Sequence, residues 1–206
     1  MRRVNRALGI AFASFLVSGC SPIFIGDSLF NTTRDDLLQE FPDGSVNASN
    51  GRQLGVAGIH RQKGSGLEAI RAEVVNLNEG EWVVLAFGNN DMNHLSASER
   101  KDAIREVTGA VPDDICLAWV TPHNIFMRRE SADWRRDLVS ILEDEQPCST
   151  VVRWDVALEN THTLTYDGNH PTPPNRRMYV CLIAEAIGKP CDDPPQTNRP
   201  ARLGIR

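Results

Sequence analysis

Short apolar runs at residues 23–25, 82–87, 115–120 and 151–154 punctuate the chain, and charged amphipathic stretches separate them. Apolar runs without internal polar alternation predict strands buried on both faces. The stretches between them carry apolar residues at helical spacing and predict helices at 32–40, 66–77, 96–108, 128–145 and 173–187. Ser96 or Ser98, with Glu99 nearby, supplies a capping pair for the third of these. A weaker strand is expected at 45–48. Such alternation predicts an α/β chain, a three-layer α/β/α sandwich around a five-stranded parallel sheet with ligands at the carboxyl ends of the strands. Ser28, Gly51 and Asn90 fall at those ends. Trp82, Trp119 and Trp154 begin or lie in strands and are expected in the core, and Trp134, on a helix, against the sheet.

The N-terminus follows a different pattern. Arg2, Arg3 and Arg6 precede an apolar stretch at 7–17 that is too short to span a bilayer as a stable helix, so residues 1–19 read as an export signal. Its end, Val17-Ser18-Gly19-Cys20, resembles a bacterial lipobox, which implies cleavage before Cys20 and a lipid on that thiol; an ordinary signal cleaved without lipidation is the alternative. The expected product is exported from a bacterial cytoplasm and either lipid-anchored or secreted. Residues 20–191 form the expected domain, followed by a tail at 192–206 rich in Pro and Arg.

At 206 residues, with 41% apolar and 24% charged residues, the chain has the composition of one globular domain. Loss of the signal removes three positive charges and no negative ones, taking the formal charge from −5 to about −8. An acidic domain is a poor partner for nucleic acid and has no electrostatic attraction to anionic lipid, so membrane contact is expected only through the anchor at Cys20. With Cys20 assigned to lipid, four cysteines remain, an even number that favours disulfides in an exported chain. Three connectivities are possible; the favoured one joins Cys181 with Cys191, across a helix end and a turn, and Cys116 with Cys148, at adjacent strand starts.

Gly26-Asp27-Ser28-Leu29 places a hydroxyl at the end of the first buried strand, where a nucleophile would sit. Serine needs a base to take its proton, an orienter for that base and donors for a developing oxyanion. Asp167-Gly168-Asn169-His170-Pro171 offers base and carboxylate three residues apart in a tight loop; Gly88-Asn89-Asn90-Asp91 and Gly51 offer donors. His123 and Asn124 lie on the ligand side of the sheet, either as a surface loop or as pocket lining. His60, His94 and His162 are expected at the surface, and no spacing points to a metal site.

These four blocks, in this order and spacing, resemble those of the GDSL-type esterases, the SGNH hydrolases, over about residues 22–185. The resemblance implies a flavodoxin-like fold and a serine esterase needing neither metal nor organic cofactor. It implies Ser28 as nucleophile, His170 as base and Asp167 as its orienter, with the N–H groups of Ser28 and Gly51 and the amide of Asn90 as the oxyanion hole. The segment at 47–55 is short for the family, which leaves Gly55 as a substitute for Gly51. Phe30 stands where the second glycine of a Gly-x-Ser-x-Gly elbow would be, which argues against the ordinary α/β-hydrolase fold. The expected substrates are small-molecule or polysaccharide esters, above all short acyl esters such as acetate. Alternatives are a lipase, thioesterase or lysophospholipase, or a surface lipoprotein that binds with an idle triad.

Overall fold

Five parallel strands, ordered β2-β1-β3-β4-β5, form the centre of the protein, a computed structural model that describes residues 21–55, 64–159 and 162–191. The strands are β1 (Ile23–Gly26), β2 (Ser45–Ala48), β3 (Trp82–Ala86), β4 (Cys116–Val120) and β5 (Ser149–Val152). The helices are α1 (Ser28–Thr32), α2 (Arg34–Glu40), α3 (Gly66–Val74), α4 (Ala97–Thr108), α5 (Arg128–Glu145), α6 (Trp154–Glu159) and α7 (Arg176–Ala186).

Side chains alternate across a strand, so each strand feeds two cores. Ile25, Val83, Leu85, Leu117 and Trp119 point to one face and pack with Leu67 and Ile70 of α3, Ile104 of α4 and Trp134 and Leu138 of α5. Phe24, Val84, Ala86, Ala118 and Val120 point to the other and pack with Phe30 of α1, Leu37 of α2, Leu158 of α6 and Tyr179 and Ile183 of α7. The result is the expected α/β/α sandwich. Its strand order reverses between β1 and β3, the switch point at which doubly wound folds open a crevice beyond the strand ends.

Some boundaries differ from the sequence reading. The helix expected at 32–40 is two helices, because Thr33 turns its hydroxyl back onto the carbonyl of Leu29 at 2.8 Å and leaves helical geometry. The segment at 173–187 begins as a 3₁₀ turn (Pro173–Asn175) before α7. The last strand ends at Val152, and Trp154, expected in a strand, opens α6. The buried Asp155 fixes that change: its N–H donates to the Thr121 hydroxyl at 3.0 Å and its carboxylate accepts from Thr121, Arg135 and Arg153. Trp119, Trp134 and Trp154 are fully buried, whereas Trp82 is only partly so.

Both favoured disulfides are present: Cys116–Cys148 ties the starts of β4 and β5, and Cys181–Cys191 pins the chain after α7. The export signal, Cys20, His60 and the tail lie outside the described residues, as does the side chain of His162.

Candidate active site

Ser28 is the first residue of α1, directly beyond β1, with Asp27 as the helix cap. Asp27 accepts the N–H of Leu29 at 2.9 Å, which fixes the strand-to-helix turn and sets Ser28 at the carboxyl edge of the sheet.

The histidine arrives from the far end of the chain, in a loop closed by its own hydrogen bonds. Thr165 and Pro171 pair as an antiparallel bridge, Tyr166 N–H donates to the His170 carbonyl at 3.3 Å, and Thr172 N–H to the Leu164 carbonyl at 2.8 Å. Within it, Asp167 Oδ1 accepts the N–H groups of Asn169 and His170 at 3.0 and 2.8 Å, and Asp167 Oδ2 lies 2.6 Å from His170 Nδ1. Gly168 makes the turn possible: its φ is +86°, and a Cβ there would lie 2.4 Å from Ile125 Cγ1. The other ring nitrogen, His170 Nε2, is 2.7 Å from Ser28 Oγ. Trp154 Nε1 donates to the Asn169 carbonyl at 3.4 Å and ties the loop to α6.

Burial pushes the Asp167 carboxyl up, but the hydrogen bonds from the His170 N–H, its ring and the Asn169 N–H outweigh it, leaving the group below the usual carboxylate range. An ionised Asp167 favours the tautomer with Nδ1 protonated, which leaves the lone pair of Nε2 facing the serine hydroxyl.

Asn90, beyond β3, donates from Nδ2 to Asp27 Oδ2 at 3.0 Å and to the Arg52 carbonyl at 3.2 Å. Both amide protons are therefore engaged. Arg52 closes a turn with Ser49, and Gly51 occupies that turn at a φ of +70°, exposed, with nothing near its would-be Cβ. The backbone angle, and not crowding, calls for glycine there. Gly55 has both reasons, with a φ of +68° and a would-be Cβ 2.2 Å from the Cβ of Ser65. The turn is anchored by Arg52, whose guanidinium donates to the carbonyl and side chain of Asn47 at 2.8 and 3.0 Å.

Two features lay beyond sequence reasoning. Asp27 is fully buried; desolvation, reinforced by the charge of Asp91 and resisted by the Leu29 N–H, raises its carboxyl to about 7. Tyr166 stacks on His170, with ring centroids 5.7 Å apart and planes at 14°. Asp27 belongs to the Gly26–Leu29 block, but its burial is set by elements distant in sequence; Tyr166 stands just before the Asp167–Pro171 block, and its stacking depends on how that loop folds. His123 is buried and not a surface residue: it lines a cavity of about 210 Å³ with Ile125, Arg135, Asp155 and Leu158. Asn124 is half-buried and accepts the N–H of Phe126, and His94 is exposed, as expected.

No protein-family model matches the sequence, and no curated protein matches it. Solved structures do match in fold. The catalytic domain of a peptidoglycan O-acetyltransferase from Streptococcus pneumoniae, carrying a methylsulfonyl adduct, superposes with a TM-score of 0.63 at 19% identity, over 81% of this chain and 92% of that one. A catalytic mutant of an acetylxylan esterase from Geobacillus stearothermophilus gives 0.62 at 18% identity, over 84% and 96%. A protein from Slackia heliotrinireducens described as an SGNH hydrolase gives 0.60 at 16%, over 82% and 100%. The five-stranded α/β fold is that of the SGNH hydrolases.

Proposed function

We propose that this protein is a serine esterase that hydrolyses short acyl esters, acetate above all, through an acyl-enzyme on Ser28. The observation that carries the reading is the continuous chain from Asp167 Oδ2 to His170 Nδ1 at 2.6 Å and from His170 Nε2 to Ser28 Oγ at 2.7 Å. As Ser28 Oγ attacks the ester carbonyl, Nε2 takes its proton, and Asp167 stabilises the imidazolium. The proton passes to the departing alkoxide, the acyl group stays on Oγ, and a water activated by the same nitrogen releases it as the carboxylic acid.

The developing oxyanion is met by the N–H of Ser28, which as a first-turn amide has no intrahelical acceptor, by the Gly51 N–H and by the Asn90 amide. Asn90 serves it by giving up one of its two present acceptors, the Arg52 carbonyl at 3.2 Å being the longer contact.

Two of the structurally similar proteins are named for acetyl chemistry on polysaccharides, which supports an acetyl ester. Two disulfides fit an exported protein, anchored at Cys20 or free. Hydrolysis of 4-nitrophenyl esters from acetate to palmitate by the protein and its Ser28→Ala variant tests the reading. Turnover that favours acetate and vanishes in the variant is expected; turnover that survives Ser28→Ala, or none in the folded parent, overturns it.

A further inference from the structure

Three large apolar side chains are exposed among the described residues: Val75, Phe126 at 79% and Tyr166 at 61%. Scattered exposed apolar residues are ordinary. Two of these three, however, adjoin the same four-residue loop. Tyr166 directly precedes Asp167 and lies flat against the His170 ring. Phe126, in the loop after β4, is close enough to Gly168 that a Cβ there would lie 3.1 Å from Phe126 Cε2.

Neither ring is buried, but the backbone that carries each is held by hydrogen bonds. Phe126 N–H donates to Asn124 Oδ1 at 2.9 Å, and its neighbour Ile125 donates to the Gly168 carbonyl at 3.1 Å, so the Phe126 segment and the histidine loop are bonded to each other. Tyr166 N–H is bonded to the His170 carbonyl. Two exposed aromatic side chains thus stand on backbone tied to the histidine loop, Tyr166 stacked on His170 and Phe126 beside Gly168.

We propose that Phe126 and Tyr166 form a sugar-binding rim that takes the pyranose ring of a neutral, O-acetylated oligosaccharide whose acetyl group lies at Ser28. The inference rests on the esterase reading above. A pyranose presents C–H bonds on its flat faces and hydroxyls around its edge; the weakly positive C–H groups meet the negative face of an aromatic ring while the hydroxyls stay in water. A half-open ring suits that shape. A long acyl chain has no such edge and needs an enclosed apolar pocket, which rings exposed to 79% and 61% do not provide. The net charge of −5 favours a neutral glycan over an anionic one.

The test compares acetylated xylooligosaccharides with 4-nitrophenyl acetate. Phe126→Ala is expected to lower the ratio of kcat/KM for the oligosaccharide to that for the small ester at least tenfold, mainly through KM, and Phe126→Trp to restore it. In the Ser28→Ala protein, calorimetric titration with unacetylated xylooligosaccharide is expected to show binding that weakens at least fivefold when Phe126→Ala is added. An unchanged ratio overturns the rim, as does a loss that follows acyl length from acetate to octanoate in place of the sugar. Failure of the two readings is separable. Ser28-dependent cleavage of 4-nitrophenyl acetate with an unchanged ratio sinks the rim alone, whereas Phe126-dependent sugar binding without any esterase activity sinks the esterase and leaves the rim.

Discussion

Asp27 and Asn90, 63 positions apart, are joined by a 3.0 Å hydrogen bond from the Asn90 amide to a fully buried carboxylate, one residue before the serine. This bond sets the amide that the proposed mechanism turns toward the oxyanion. In Asp27→Asn one oxygen can still accept from Leu29, but the new amide nitrogen faces the Asn90 amide as donor against donor. The variant is expected to lose about 10- to 100-fold in kcat/KM for 4-nitrophenyl acetate while the fold stays intact by circular dichroism.

The same carboxyl gives stability a pH signature. Burial raises it from an ordinary value of 3.8 to about 7, so between these values the unfolded chain has released this proton and the folded protein has kept it. Its contribution is therefore greatest at the acid end and declines as pH rises toward 7. From pH 5 to 7 the parent should lose roughly 2 kcal/mol relative to Asp27→Asn. Urea unfolding of both proteins across that interval checks it; parallel curves would show that Asp27 does not titrate there.

Gly168→Ala should act on the histidine loop. The methyl meets Ile125 Cγ1 at 2.4 Å and the φ of +86° disfavours alanine, so the loop must shift. A displacement near 1 Å costs about 100-fold in rate, and the expected result is a fall of that size in kcat. The Cys181–Cys191 bridge should form normally by mass spectrometry.

On the opposite layer, Arg100 and Asp137 bind α4 to α5, both buried, with Arg100 Nε 2.7 Å from Asp137 Oδ2. Arg100→Met removes the short hydrogen bonds to that carboxylate and leaves it only the longer contacts of Lys101 at 3.9 Å and Arg136 at 3.7 Å, so it should cost about 2 kcal/mol in urea unfolding. Adding Asp137→Leu should recover most of the loss, because the charge then disappears with its partner.

The two disulfides close loops of unequal length, with separations of 32 and 10 residues. Chain entropy then makes Cys116–Cys148 worth about 4 kcal/mol and Cys181–Cys191 about 3. Paired Cys→Ser variants, compared by thermal unfolding, should rank in that order.

Strand positions, layer count and disulfide pairing were legible because each follows from local signals: apolar runs, helical spacing and cysteines at strand starts or helix ends. The Asp167–His170 contact was legible for the same reason, since three residues and a glycine confine it to one loop. The break at Thr33 was not, because a hydroxyl turned onto a carbonyl leaves the apolar pattern unchanged. α6 was missed because Trp154 continues an apolar run, and the strand is ended by Thr121 and Arg135, which come from elsewhere in the chain. The burial of Asp27 and His123 is likewise set by elements that only the tertiary structure brings near.

The serine and histidine that meet at 2.7 Å are 142 positions apart, at opposite ends of the described domain. The contact cannot exist in a chain still being made: until residue 170 has emerged and folded back over the first strand, the hydroxyl has no base. On the proposed mechanism a truncated or half-synthesised product is therefore inert toward the esters around it, and activity would begin only when the last part of the domain has docked onto the first.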